Sequence, residues 1–141
     1  MHTNSLDEVV NYVLNSSIFL FLLYGNLGAG KTHLVKQIAK RLGVRETVTS
    51  PTFAICQVYT LNSVKCNQHD YERLVHIDLY RINENDILNT LDQIAFWDYL
   101  SSNNLIFIEW PEKVEKLFKN YNKSSIYIRI GYKGERLYRV L

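Results

Sequence analysis

An eight-residue segment, GNLGAGKT at positions 25–32, constrains the fold of this chain more than any other feature. It matches the pattern G-x-x-x-x-G-K-[ST], which works only between a buried strand and the N-terminus of a helix. The sequence contains both the strand and the helix that the pattern requires. An apolar run, IFLFLLY, fills positions 18–24, and residues 31–42 place apolar side chains on one helical face. The segment therefore predicts a phosphate-binding loop.

Each residue type in this loop has a physical role in holding a polyphosphate. Glycines permit a tight turn that directs backbone N–H groups at phosphate oxygens. Lys31 can reach the β- and γ-phosphates, and the hydroxyl of Thr32 can bind Mg²⁺. We include His33 in the predicted site, although a solvent-exposed position with no function is the simpler interpretation. The predicted nucleotide-binding residues of the loop are Gly25, Asn26, Leu27, Gly28, Ala29, Gly30, Lys31, Thr32 and His33.

Two acidic residues stand where such a site needs them. A phosphate loop requires a carboxylate at the end of a neighbouring strand, to hold Mg²⁺ or its water shell. Glu109 ends the apolar run LIFI, and Asp78 ends another candidate strand. We predict that both act with Lys31 in catalysis and with Thr32 in metal binding. The alternative is that each is a strand-end charge in solvent, and the pattern leaves open which lies closer to the metal.

Three further features admit two interpretations each. His76 lies two residues before Asp78 and fits core packing as well as function. Trp110, which follows Glu109, can contact a nucleotide base or pack in the core. A group of basic residues near the C-terminus fits a solvated edge strand protected by charge as well as a binding surface. Its members are Arg129, Lys133, Arg136 and Arg139.

Strands and helices alternate along the chain, which predicts an α/β fold. We expect a P-loop NTPase-like sheet, mixed parallel with antiparallel hairpins and flanked by helices. The predicted helices cover residues 5–15, 31–42, 85–100 in two pieces, and 111–119. The predicted strands cover residues 18–24, 53–61, 74–79, 105–108, 125–132 and 136–141, with loops at 47–52 and 62–73. No repeat or linker interrupts them, so residues 1–141 are predicted to form a single domain.

Composition and charge exclude several classes of protein. The net charge of +2 is too weak to indicate a nucleic-acid or membrane partner. The longest apolar run has seven residues, whereas a membrane helix needs about 20. Residues 1–14 lack the pattern of a signal peptide. Cys56 and Cys66 have no adjacent metal-ligand partners and are expected to stay reduced, so we expect a cytoplasmic protein.

Two motifs that are absent from the sequence help to identify the nucleotide and the class of reaction. GTPases of this architecture usually carry N-K-x-D, but the pair Asn122-Lys123 is followed by two serines, which favours ATP. Small-molecule kinases on this scaffold usually need an arginine-bearing lid, and residues 82–104 contain no arginine. The sequence thus favours an ATPase that acts on a protein partner. The alternatives are a stand-alone small-molecule kinase and a nucleotide-binding module without hydrolysis.

Four sequence blocks resemble the TsaE family, formerly called YjeE. They are GNLGAGKT at 25–32, SPTF at 50–53, HIDLYR at 76–81 and IEWPE at 108–112, and their order and spacing also fit that family. The second and third blocks are far more specific than the phosphate loop alone. One departure is Asn26, where the family commonly has aspartate. That residue is not needed for the phosphate cradle.

The resemblance implies a bacterial ATPase needed to form N6-threonylcarbamoyladenosine at position 37 of tRNAs that read codons beginning with A. Such a protein binds at the interface of the TsaD–TsaB pair, and its ATP hydrolysis supports repeated turnover. It does not itself transfer the threonylcarbamoyl group, and it meets tRNA indirectly, through the complex. The sequence leaves open whether the chain also contacts tRNA directly. The implied cofactors are ATP and Mg²⁺. Residues 49–52 would lie in a switch-like loop.

The resemblance also implies residue roles by position. Lys31 and Thr32 would bind phosphate and Mg²⁺. Asp78 and Glu109 would be the acids that hold the metal and position water. Trp110 would lie near the nucleotide.

Overall fold

The structure, a computed structural model, describes residues 1–51, 54–66, 69–101 and 103–141. For residues 62–66 and 69 it describes the backbone but not the side chains. Its strands are β1 (His2–Thr3), β2 (Leu20–Tyr24), β3 (Cys56–Cys66), β4 (His69–Asp78), β5 (Asn104–Glu109), β6 (Lys123–Ile130) and β7 (Arg136–Val140). Its helices are α1 (Leu6–Asn15), α2 (Lys31–Arg41), α3 (Ile87–Gln93) and α4 (Phe96–Tyr99). Short 3-10 turns cover Glu84–Asp86, Pro111–Lys113 and Glu115–Phe118.

The described strands form one sheet in the order β1-β7-β6-β2-β5-β4-β3. Its centre consists of the parallel strands β6, β2, β5 and β4. Antiparallel pairing adds β7 and β1 on one side and β3 on the other. This confirms the predicted mixed α/β sheet. Because the carboxyl ends of parallel strands meet at one edge, the residues that follow β2, β4 and β5 come together there.

The core lies on both faces of the sheet, as β2 illustrates. Phe21 and Leu23 point to the face covered by α1 and α2, whereas Leu20 and Leu22 point to the face covered by α3 and α4. All four side chains are fully buried. A strand that is buried on both faces needs apolar residues at every position. This explains why the sequence shows a continuous apolar run there instead of an alternating pattern.

The first two helices follow their sequence signals closely. Ser5 caps α1, and its hydroxyl accepts a hydrogen bond from the backbone N–H of Glu8 at 3.3 Å. Helix α2 begins at Lys31 and stops before Gly43, whose φ of 79° lies in the left-handed region that favours glycine. None of the helices in the described part of the chain is long and apolar enough to cross a membrane.

The prediction of a loop at residues 62–73 was wrong. There β3 and β4 continue as an antiparallel ladder, which pairs Val64 with Tyr71 and shifts register between Thr60 and Val64. Strand β3 is an edge strand, so polar residues on its solvent side cost little and hide the strand pattern. The strand predicted at 53–61 begins at Cys56, and residues 52–53 lie outside the described residues.

Smaller differences have local causes. The predicted helix at 111–119 is replaced by two 3-10 turns, with Val114 between them at a non-helical φ of −132°. The helical region at 85–100 does consist of two pieces, because Ala95 adopts a left-handed φ of 52° between α3 and α4. Strand β1 has only two residues, too few to produce a sequence pattern.

Candidate functional site

The glycine-rich loop connects the carboxyl end of β2 to the N-terminus of α2. Gly30 caps α2 with a φ of 116°, a conformation that glycine adopts at little cost. No side chain makes a capping hydrogen bond there. The first backbone N–H groups of α2 therefore remain available to an anion, and the helix dipole adds positive potential at the same point.

We expect Gly25→Ala to destabilise the fold more than Gly28→Ala. Both glycines have positive φ, 154° and 78°, but a Cβ on Gly25 would lie 2.5 Å from the carbonyl oxygen of Ile128 in β6. Nothing lies within 4 Å of a Cβ on Gly28. In urea unfolding, Gly25→Ala should lower the free energy of unfolding by about 2–4 kcal/mol and Gly28→Ala by about 1 kcal/mol. Equal losses would contradict the contact with β6.

Lys31 is buried beside this loop, with 4% of its surface exposed. Its Nζ donates hydrogen bonds to the carbonyl oxygens of Gly25 and Asn26, the latter at 3.1 Å, and lies 4.4 Å from the ring centroid of Trp110. Burial lowers the pKa of Lys31, and three carboxylates oppose that shift, those of Glu109, Asp78 and Glu112. The ammonium is thus held at the loop by carbonyls that a phosphate oxygen can replace.

Glu109 joins the loop to the neighbouring strands. Its Oε1 accepts a hydrogen bond from Thr32 Oγ1 at 2.7 Å and lies 2.8 Å from His76 Nε2. Glu109 is 3% exposed and His76 is fully buried. The arrangement follows from strand register, because Glu109 in β5 pairs with Leu23 of β2 on one side and with Asp78 of β4 on the other. The structure therefore brings Thr32, Glu109 and Asp78 together, as the sequence predicts.

Asp78 accepts hydrogen bonds from two loops. Its Oδ2 accepts a hydrogen bond from Ser50 Oγ at 3.0 Å, and its Oδ1 accepts one from the backbone N–H of Tyr80, also at 3.0 Å. Ser50 belongs to the segment 49–52 that the resemblance assigns to a switch-like loop. Residues 49–51 have no regular secondary structure, and Thr52 lies outside the described residues. The hydrogen bond from Ser50 couples that segment to the candidate metal-binding edge.

A cleft of about 440 Å³ opens between these elements. Its walls are formed by Leu27, Gly28, Gly30, Lys31, Thr32, His33, Ser50, Asp78, Tyr80, Glu109, Trp110 and Arg136. All predicted site residues except Gly25, Asn26 and Ala29 line it. Those three line an adjoining cleft together with Leu27. The whole predicted set therefore surrounds one continuous part of the surface around the loop.

The oxygen atoms at this edge suit magnesium. Mg²⁺ prefers oxygen ligands and usually takes one or two carboxylates together with substrate phosphates and water. The candidate donors are the Thr32 hydroxyl and the carboxylates of Glu109 and Asp78. Across the described ranges, no group of three or more His, Cys, Asp and Glu side chains gathers into a metal cage. The donor set thus fits a metal that arrives with a nucleotide.

Three residues of the cleft were not among the predicted site residues, namely Ser50, Tyr80 and Arg136. Arg136 donates a hydrogen bond from Nε to the carbonyl oxygen of Ala29 at 3.1 Å, so it contacts the loop from a hairpin more than 100 positions away. Nothing in its own sequence surroundings indicates that contact. Ser50 and Tyr80 had a signal, because they lie in the SPTF and HIDLYR blocks. Trp110 packs against the core beside α3, which is one of its two interpretations, and it also lines the cleft, while contact with a base stays a prediction.

A larger cleft, of about 670 Å³, lies on the β6–β7 side and meets the loop at Gly25. Its wall includes the stacked rings of Tyr24 and Tyr127, with centroids 4.5 Å apart and an interplanar angle of 13°. Arg129 and Arg139 also line it. The loop therefore has the cleft with Glu109 and Asp78 on one side and the cleft with the two tyrosines and two arginines on the other.

Comparison with known proteins gives consistent matches. A family model described as "Threonylcarbamoyl adenosine biosynthesis protein TsaE" matches residues 2–139. The TsaE protein of Streptomyces coelicolor is 39% identical over 114 residues, which are 79% of this chain and 70% of that protein. The TsaE protein of Aquifex aeolicus is 32% identical over 136 residues, covering 89% of this chain and 88% of its own. The crystal structure of Bacillus subtilis YdiB matches with a TM-score of 0.61 and 24% identity, covering 98% of this chain and 80% of that one, which supports the fold.

Proposed function

The chain belongs to the TsaE family of tRNA threonylcarbamoyladenosine biosynthesis, and we propose that it is the subunit that binds and hydrolyses ATP in that process. One observation carries the proposal: Lys31, Thr32, Glu109 and Asp78 converge on a single cleft at the carboxyl edge of the sheet. A structural role alone does not require a lysine, a hydroxyl and two acids at the same point. We further propose that residues 1–141 act as one ATPase domain.

In this proposal the loop holds the triphosphate. The backbone N–H groups at the start of α2 donate to phosphate oxygens, and Lys31 Nζ exchanges its carbonyl partners for the β- and γ-phosphates. Gly25, Asn26, Leu27, Gly28, Ala29 and Gly30 supply the main-chain cradle. Thr32 Oγ1 faces the same space and would hold Mg²⁺, with Glu109 and Asp78 holding the metal or its water shell. The bound metal would supply positive charge that stabilises the transferring phosphoryl group.

The two carboxylates would act on the metal's water shell and on the attacking water. Phosphoryl transfer depends on positioning and electrostatic stabilisation, so a buried carboxylate that accepts a water's hydrogen bond can orient that water. Glu109 shares its Oε1 with Thr32, so it lies next to the predicted metal ligand. Asp78 is hydrogen-bonded to Ser50, and through it the switch-like loop can sense what occupies the cleft.

The two clefts support a proposal for the position of the base. Trp110 lies 4.4 Å from Lys31 Nζ, beside the amine that would contact the β- and γ-phosphates, so it contributes to the phosphate end of the nucleotide. The adenine would extend past Gly25 toward the cleft that contains Tyr24 and Tyr127. An aromatic wall offers the flat apolar surface that a base needs.

We propose that the chain acts in the cytoplasm with the TsaD–TsaB pair and meets tRNA indirectly, through that complex. Family membership and the resemblance of the four sequence blocks support this assignment. The test is a reconstitution with TsaD–TsaB from the same source, a tRNA that reads codons beginning with A, ATP and a threonylcarbamoyl donor. Adding the chain should convert a limited burst of modification into repeated turnover, and Lys31→Ala should not.

Two results would contradict the proposal. Modification that proceeds equally well without the chain would remove its role in the process. Transfer of phosphate from ATP to a metabolite, with no need for TsaD–TsaB, would favour the stand-alone kinase instead.

A further inference from the structure

A fully buried histidine adjoins the candidate site. His76 lies in β4, two residues before Asp78, with none of its surface exposed. Its backbone neighbours Val75 and Ile77 point to the opposite face of the sheet and pack in the core with α3 and α4. The side chain of His76 therefore points to the other face, where it meets Glu109.

Among the described residues, only one of the two ring nitrogens of His76 has a hydrogen-bond partner. Its Nε2 lies 2.8 Å from Glu109 Oε1, whereas the buried Nδ1 has no partner among the residues that the structure describes. A buried polar atom without a hydrogen bond costs about 1–3 kcal/mol. An apolar side chain of similar size would fill the space without that cost. Core packing alone therefore does not explain a histidine at this position, whereas the hydrogen bond to Glu109 does.

The contact also controls how Glu109 is presented. Oε1 receives two hydrogen bonds, one from His76 and one from Thr32 Oγ1, which fix the plane of the carboxylate. Within the described chain, Oε2 receives no hydrogen bond, and Glu109 lines the cleft. If His76 were apolar, Thr32 alone would hold the carboxylate, and Thr32 is the residue that must also bind the metal.

We propose that His76 is a positioning residue that holds Glu109 through Oε1 and leaves Oε2 free for the metal's water shell or the attacking water. The inference rests on the proposed function, in which Glu109 acts during ATP hydrolysis. A residue of this kind hydrogen-bonds a group that serves the metal without contacting the metal itself. Removing such a residue typically lowers metal affinity or activity by about 10–100-fold.

Three variants test the proposal. His76→Leu keeps the volume but removes the donor, and His76→Gln can return an N–H near the position of Nε2. Val75→Ala is the matched control, because it shortens a fully buried side chain of the same strand that points away from Glu109. We expect His76→Leu to lower kcat for ATP hydrolysis by about 10–100-fold with KM for ATP within about threefold. His76→Gln should recover most of the loss, and Val75→Ala should keep the parent's kcat.

A binding measurement gives a readout besides activity. Calorimetry should show that Mg²⁺ strengthens ATP binding to the parent protein relative to binding in EDTA. His76→Leu should lose about tenfold of that gain, His76→Gln should retain most of it, and all variants should bind ATP alike in EDTA. The proposal is overturned if His76→Leu keeps both the kcat and the magnesium gain, or if His76→Gln is as impaired as His76→Leu. A parent protein without ATPase activity, alone or with TsaD–TsaB, would overturn the proposed function, and the magnesium gain alone would then decide the role of His76.

Discussion

Lys31→Ala should lower kcat for ATP hydrolysis by about 10²–10³-fold. The ammonium group of Lys31 is the buried cation at the loop within the described cleft, whereas Arg136, which also lines that cleft, is exposed and hydrogen-bonds to the carbonyl oxygen of Ala29. Negative charge builds on the phosphoryl group during its transfer, and a buried cation held at a fixed position stabilises it strongly. The measurement is phosphate release at saturating ATP, together with calorimetry of ATP binding.

A matched control separates this effect from the general loss of a lysine. Lys36 lies in the same helix and is exposed, so Lys36→Ala should change kcat by less than about twofold. Urea unfolding of both variants will show whether Lys31→Ala still folds. Its folding is expected, because alanine favours the helix and the variant removes a buried charge. A folded Lys31→Ala protein that hydrolyses ATP like the parent would show that the site is elsewhere.

Glu109→Gln should bind MgATP within about fivefold of the parent but hydrolyse it about 10²–10³-fold more slowly. The substitution keeps the size of the side chain, and its amide oxygen can still accept hydrogen bonds from Thr32 Oγ1 and His76 Nε2. It therefore removes the charge and leaves the local structure. Asp78→Asn should also slow hydrolysis, but its effect on magnesium dependence should be smaller, because Asp78 is hydrogen-bonded to Ser50 and Tyr80 and not to Thr32.

The control for these two variants is Glu112→Gln. Glu112 is exposed and close enough to Lys31 to influence its pKa, yet it does not line the cleft. Its neutralisation should change kcat by less than about threefold, since exposed charges interact weakly. If Glu109→Gln and Asp78→Asn both hydrolyse ATP at the rate of the parent, neither acid serves the chemistry. If the parent itself binds ATP without any turnover, the chain is a nucleotide-binding module and not an ATPase.

Local signals in the sequence predicted the part of the fold that holds the phosphate loop. An apolar run as long as β2, a glycine-rich segment and a one-sided apolar helix are each determined within about a dozen residues. The positions of Asp78 and Glu109 were also predictable, because a carboxylate that ends a strand lies at the carboxyl edge of a parallel sheet. The roles assigned to these residues stay predictions until the variants are measured.

Other features depend on contacts that are distant in sequence. Arg136 reaches the loop only because β6 and β7 pair beside β2, and nothing around position 136 encodes that approach. The extension of β3 was missed because an edge strand can be polar on its open side. His76 stayed ambiguous because its partner, Glu109, lies 33 positions later and the register between β4 and β5 decides the contact.

The most direct test of the account is a crystal structure of the protein with a non-hydrolysable ATP analogue and Mg²⁺. We predict that the β- and γ-phosphates accept hydrogen bonds from the backbone N–H groups of the glycine-rich loop, that Lys31 Nζ leaves the carbonyl oxygens of Gly25 and Asn26 for the phosphates, and that Thr32 Oγ1 binds the metal. An analogue bound elsewhere at saturating concentration, with Lys31 still hydrogen-bonded to Gly25 and Asn26, would contradict the account.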